Sequence, residues 1–149
     1  FLERNNARYL TAEQIPQPLS FFSVDVSFIS LSLILPPLRP LMAPGGEAVC
    51  LVKPQFEAGR DKVGKKGVVR DKGVHLEVLE HFLDHAKTAG FTVKGMTYSP
   101  IRGPEGNIEY LGWLSTEEGQ GWAGDLRELV EASHSHLEEK ETGEEGGEA

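Results

Sequence analysis

Cysteine is almost absent: the 149 residues include one, Cys50, so no disulfide can close within the chain. Cys50 sits inside an apolar run, Ala48 to Val52, and reads as a small core residue. Long hydrophobic runs are also lacking. The longest, Phe28 to Leu38, is broken by Pro36 and Pro37 and is too short to span a membrane. The first residues, FLERNNARYL, are charged and polar, with none of the pattern of a secretory signal. A cytoplasmic protein with no membrane partner is expected. There is no Walker-type phosphate loop, no cysteine cluster and no serine nucleophile elbow. His81 and His85 are spaced i, i+4 but have no glutamate of a metalloprotease motif between them and no third ligand in view. They read as surface histidines. His134 and His136 fall on different faces of a helix, so no metal site is expected.

What is present suits one globular domain. Hydrophobic residues make up 39% and charged residues 26%, and the length allows a real core. The net charge of −8 is unevenly spread: Glu138 to the C-terminus carries six Glu against one Lys, which leaves only −3 for the body. Within that body, Lys53 to Lys72 holds seven Lys or Arg against three acidic residues. A basic loop on an acidic protein is compatible with an anionic partner at one place, and equally with a solvated loop.

Residues 19–26 (LSFFSVDV) read as a buried strand. Ser27 or Ser30 can cap a following helix through Leu41, shortened or kinked by its prolines. Pro44-Gly45-Gly46 reads as a turn, residues 47–53 as the next strand and residues 54–72 as a long loop. Asp71 opens a helix whose apolar face is Val78, Leu79, Phe82, Leu83 and Ala86, ended by Gly90 in a left-handed cap. Residues 91–97 and 107–114 read as strands, separated by a loop over 99–106. Residues 125–138 form an amphipathic helix, and residues 139–149 have the composition of an acidic disordered tail. Phe1-Leu2 reads as the end of a strand, so a fragment is expected. Strands alternating with helices argue an α/β fold with a mostly parallel sheet, closed by an antiparallel last pair.

In such a sheet, ligands bind beyond the carboxyl ends of the strands. Asp25 ends one strand there and Lys53 ends the next. Glu109 lies near the start of the antiparallel strand, on the same edge. Topology alone thus brings an acid, a base and a second acid together. Each also has an ordinary reading: a capping aspartate, a solvated lysine and an exposed edge glutamate.

Three strings carry a resemblance: DVSFISL (25–31), LVKPQFEAGRDKVGKKGVVRD (51–71) and SPIRGPEGNIEYLGWL (99–114). Together they resemble the TlyA family of FtsJ-like ribosomal RNA methyltransferases, whose members are often labelled hemolysins. ERNNAR (3–8) is similar to that family's ERTNAR segment, with Asn5 where threonine is common. The resemblance covers residues 1–138 and implies the C-terminal portion of a Rossmann-like methyltransferase domain with its first strands missing. It implies S-adenosylmethionine as cofactor and methylation of a ribose 2′-hydroxyl in ribosomal RNA. From the family's Lys-Asp-Lys-Glu tetrad, Asp25, Lys53 and Glu109 carry over. Asn6 and Asp25 would face the cofactor, and Arg60, Lys62, Lys65, Lys66 and Arg70 would contact rRNA or a ribosomal subunit. The first lysine, the Gly-rich cofactor loop and an S4 RNA-binding domain belong upstream, so an N-terminal half of the same protein is an expected partner. The chain alone is then expected to be inactive. A non-catalytic RNA-binding remnant is a competing reading, and a membrane-lytic hemolysin is a weaker one.

Overall fold

The computed structural model describes residues 18–64 and 67–148. Four strands form one sheet in the order β1-β2-β4-β3: β1 is Leu19–Val24, β2 Met42–Val52, β3 Thr92–Tyr98 and β4 Tyr110–Ser115. β1 and β2 run parallel, while β4 lies antiparallel between β2 and β3. The antiparallel final pair is therefore present, and its last strand also completes the edge of β2.

Helix α1 (Leu31–Leu38) starts at Ser30, whose side chain accepts from Ser32 N. Pro36 and Pro37 lie inside it and supply no backbone N–H, and only a 3-10 turn, Arg39–Leu41, continues beyond. Pro44 to Gly46 do not form a turn between elements. They lie inside β2, where the pairing with β1 skips from Leu19↔Met42 to Phe21↔Glu47. Gly45, at φ +74, makes this a bulge, because glycine signals a bulge as readily as a turn. The loop expected over 54–72 also carries structure: a four-residue helix α2 (Pro54–Glu57) and a 3-10 turn at Arg60–Lys62.

Helix α3 (Lys72–Thr88) opens at Asp71, whose carboxylate accepts from Gly73 N and Val74 N. Gly90 follows its end at φ +93, as its sequence position implied. Helix α4 (Leu126–Glu148) runs on through the stretch expected as a disordered tail. Glu and Lys are good helix formers, and they continue the helix that packing begins.

All three long helices pack on one face of the sheet. Val24, Ala48, Cys50, Val52, Tyr110 and Leu114 point into that core, against Ile34, Leu35, Val78, Leu79, Phe82 and Val130. Burial pushes the Cys50 thiol up to about 12, so it is an inert core residue. Gly112 faces the same way and lets β4 approach α3, since a Cβ there would lie 2.5 Å from the Phe82 ring. On the other face Phe21 is 61% exposed and Trp113 47%.

Candidate active site at the carboxyl edge of the sheet

Asp25 comes one step after β1, Lys53 one step after β2, and Glu109 one step before β4. The register pairs Val52 with Tyr110, so Lys53 and Glu109 extend adjacent strands at the same level. Pro54 explains why Lys53 stands there. Proline opens α2 and holds the residue before it extended, and Lys53 has φ −111, ψ 101. The Lys53 carbonyl then accepts from Phe56 N and Glu57 N, which fixes its backbone.

The lysine side chain is directed along the edge. Its Nζ lies 2.5 Å from Asp25 Oδ1 and donates to Ser27 Oγ at 3.2 Å. The Lys53 side chain is 12% exposed and that of Asp25 42%, so the cation is sheltered and its partner opens to solvent. Glu109 is buried at 6% and sits on the same edge, where its carboxylate accepts from Gln55 Nε2 at 2.8 Å. Gly103 makes room for it, because a Cβ at that position would overlap the Glu109 carboxylate. Asp25 and Lys53 are thus joined directly, and Glu109 is tied to the same turn through Gln55. The other end of that amide, Gln55 Oε1, is buried without a partner.

Two further links brace the segments after β1 and β2. Glu57 accepts from Ser30 Oγ at 2.7 Å and from Leu31 N at 2.8 Å, so it caps α1 from α2. Burial raises its pKa, and these two hydrogen bonds oppose the rise. Phe28, at φ +66 and 87% exposed, packs against Phe56 with ring centroids 4.8 Å apart and ring planes tilted by 51°. Gln55, Glu57 and Phe28 were not singled out in the sequence, and Ser27 was read only as a helix cap. Ser27 and Gln55 each lie two residues from a candidate, so for them the local string was the available signal.

Asn6, Lys65 and Lys66 lie outside the described residues. Arg60 belongs to the 3-10 turn, Arg70 is exposed, and Lys62 bonds Glu77 at 2.6 Å, which partly neutralises it. The rings of His81 and His85 are 6.2 Å apart. Among the described residues, no group of three or more His, Cys, Asp or Glu is placed to hold a metal ion. No helix there is long and apolar enough to cross a membrane.

A buried polar cluster was also missed. His75 is fully buried, with Nε2 donating to Val69 O at 2.9 Å and Nδ1 accepting from His134 Nε2 at 2.7 Å. The donor directions follow from the carbonyl, which can only accept. Tyr110 donates to Ser133 at 2.8 Å, and Ser133 donates to Val130 O. Burial pushes the Tyr110 phenol up to about 12, and burial lowers His75 to about 4. In the unfolded chain the imidazole takes a proton near its ordinary 6.5. Between these values the unfolded state binds more protons, so stability is lost as pH falls from about 6.5 to about 4. At 1.36 kcal/mol per pH unit the loss reaches about 3 kcal/mol. Urea midpoints at pH 7.5 and 4.5 should show it in the wild type and a smaller difference in His75→Gln. An equal drop in both proteins would assign the acid sensitivity to other groups.

Known proteins resemble this chain. The model of the FtsJ-like methyltransferase family matches residues 1–116. A candidate rRNA methyltransferase of Bacillus subtilis, YqxC, is 46% identical over 146 residues, covering 93% of this chain and 52% of that protein. The 16S/23S rRNA (cytidine-2′-O)-methyltransferase TlyA of Mycobacterium tuberculosis is 38% identical over 138 residues, covering 93% of this chain and 51% of that protein. A solved structure of a candidate hemolysin from Streptococcus thermophilus matches with a TM-score of 0.86 at 44% identity, over 93% of this chain and 51% of that one. The chain spans about half the length of the curated relatives it matches.

Proposed function

This chain belongs to the FtsJ-like methyltransferase family, and on that premise we propose that it carries part of the active site of an enzyme that methylates a ribose 2′-hydroxyl in ribosomal RNA. The observation that carries this reading is the contact of Lys53 with Asp25 at the carboxyl edge, with Glu109 at the next strand. The names of the relatives from Bacillus subtilis and Mycobacterium tuberculosis support rRNA as substrate. The rest of a relative-length protein and a ribosomal subunit are the implied partners.

S-adenosylmethionine is the implied methyl donor, and when bound it supplies a methyl group on a positively charged sulfur. The described residues fit one side of it. Asp25 offers a half-exposed carboxylate at the end of β1, where open α/β sheets bind ligands, and carboxylates suit cationic groups. Asn6 is assigned to the same group by resemblance alone.

The chain's own part in the chemistry follows from its polar groups. A ribose hydroxyl is a weak nucleophile until it is aligned and its proton is drawn away. Lys53 Nζ, directed by Asp25 and Ser27, orients the 2′-oxygen and is the group placed to take its proton. Glu109, held by Gln55, fixes the opposite side. Arg60, Lys62, Lys65, Lys66 and Arg70 would meet RNA phosphates, with Lys62 contributing least because of Glu77.

The test uses a protein carrying this chain at the length of its relatives, with methyl-labelled S-adenosylmethionine and ribosomal subunits. The label should enter rRNA and survive alkali as an uncleaved dinucleotide, because strand cleavage needs a free 2′-hydroxyl. Label recovered on a base would overturn the ribose assignment. Binding of rRNA without transfer would leave the RNA-binding reading in its place.

A further inference from the structure

Among the described residues, two of the exposed large apolar side chains stand on the segments at the carboxyl edge of the sheet. Phe28 follows β1 and packs on Phe56. Ile101, 75% exposed, lies on the arm between β3 and β4 and takes no part in the apolar core. A lone exposed isoleucine is ordinary on a protein surface. This one differs in how its backbone is held.

The arm is fastened to Glu109 on both sides of Ile101. Ser99 N donates to the Glu109 carbonyl at 2.8 Å, and Gly103 lies so close to the Glu109 carboxylate that a Cβ there would overlap it. Gly103 N also donates to Asn107 O at 2.7 Å, which closes the arm. Between these points Ser99 Oγ donates to Ile101 O at 2.9 Å and accepts from Ile101 N at 3.3 Å. Pro100, whose ring fixes its φ, stands between the two. The backbone of Ile101 is thus bracketed by hydrogen bonds while its side chain is open to solvent.

We propose that Ile101 is an apolar wedge that packs against the base beside the reacting nucleotide of the RNA. The proposal rests on the rRNA-substrate reading and adds a contact residue to it. The Lys53 side chain is only 12% exposed, so a 2′-oxygen meets it only when its ribose projects from the RNA. Turning a nucleotide out leaves a gap in the base stack. Nucleic-acid-binding proteins open or fill such gaps with apolar side chains, isoleucine among them. A β-branched side chain has few χ1 rotamers to lose on contact. The arm that carries Ile101 also lies against Glu109, so one element would place both the base and the ribose. The contact neutralises no phosphate, so it adds affinity without adding salt dependence.

The experiment measures affinity for protein-free ribosomal RNA against salt, in protein of the relatives' length. Ile101→Ser should weaken binding about 10-fold, the scale of one buried aliphatic side chain, and leave the slope of log K against log salt unchanged. Ile101→Leu should recover part of the loss. Calorimetric affinity for S-adenosylmethionine should not change in either variant. Lys87→Gln, beside the start of β3 and so at the opposite edge of the sheet, should change neither affinity nor slope. Thermal unfolding checks that each variant folds, and Ile101→Ala is the second variant if Ile101→Ser does not. Affinity equal to wild type in the folded variants overturns the proposal. A loss accompanied by a changed slope would make the arm a phosphate contact and overturns it too. Weaker binding to ribosomal subunits with unchanged binding to protein-free RNA would set Ile101 against a ribosomal protein, and the wedge falls. The two readings fail separately: RNA affinity decides the wedge, and methyl transfer to ribose decides the enzyme.

Discussion

Lys53→Ala, in a protein of the relatives' length, is expected to lose methyl transfer to ribosomal RNA by about two to four orders of magnitude, the range for removal of a positioned proton-transfer group. Binding of S-adenosylmethionine should change little, because Lys53 is assigned to the ribose. The fold should survive as well. Asp25, its ion-pair partner, is 42% exposed and can be solvated when the lysine is gone. Pairs open to water on one side contribute at most about 1 kcal/mol. Single-turnover transfer and calorimetric cofactor binding, measured on the same sample, distinguish the cases. Turnover within about tenfold of wild type would remove Lys53 from the chemistry.

Gly112→Ala should lose stability through one added carbon. Its Cβ would lie 2.5 Å from Cε2 and Cζ of Phe82, which is buried in the core at 2% exposure. Overpacking of this kind costs about 1–3 kcal/mol. The strain would also reach the site, since Glu109 lies three residues before Gly112 on the same strand run. Urea unfolding should show the lower midpoint, and Phe82→Leu in the same protein should restore part of it. A change below about 0.5 kcal/mol in Gly112→Ala would mean that α3 and β4 separate freely, contrary to the packing described.

The carboxyl-edge candidates were legible because strand ends are marked locally. Asp25, Lys53 and Glu109 each border an apolar run, and the rule that ligands gather beyond parallel strand ends needs no side-chain contact. α3 was legible for the same reason, with Asp71 at its start and Gly90 after its end. What stayed hidden depends on distant partners. His75 meets His134 across 59 positions, and Ser30 meets Glu57 across 27, and neither leaves a periodic trace. Gln55 is defined by Glu109, 54 positions away. The bulge at Gly45 was misread because a positive φ serves a turn and a bulge equally. The four residues of α2 are too few for any helical period to show.

The bracing around the edge has a mechanical consequence. Lys53 grips Asp25 and Ser27, Glu57 grips Ser30 and Leu31, and Phe28 lies on Phe56. The stretches 25–31 and 53–57 are therefore tied into one jaw, which holds the acid beside the lysine. Glu109 reaches that jaw through the single amide of Gln55, as a hinge pin would. Loss of the Gln55 amide would therefore free Glu109 from the jaw while leaving Lys53 and Asp25 together.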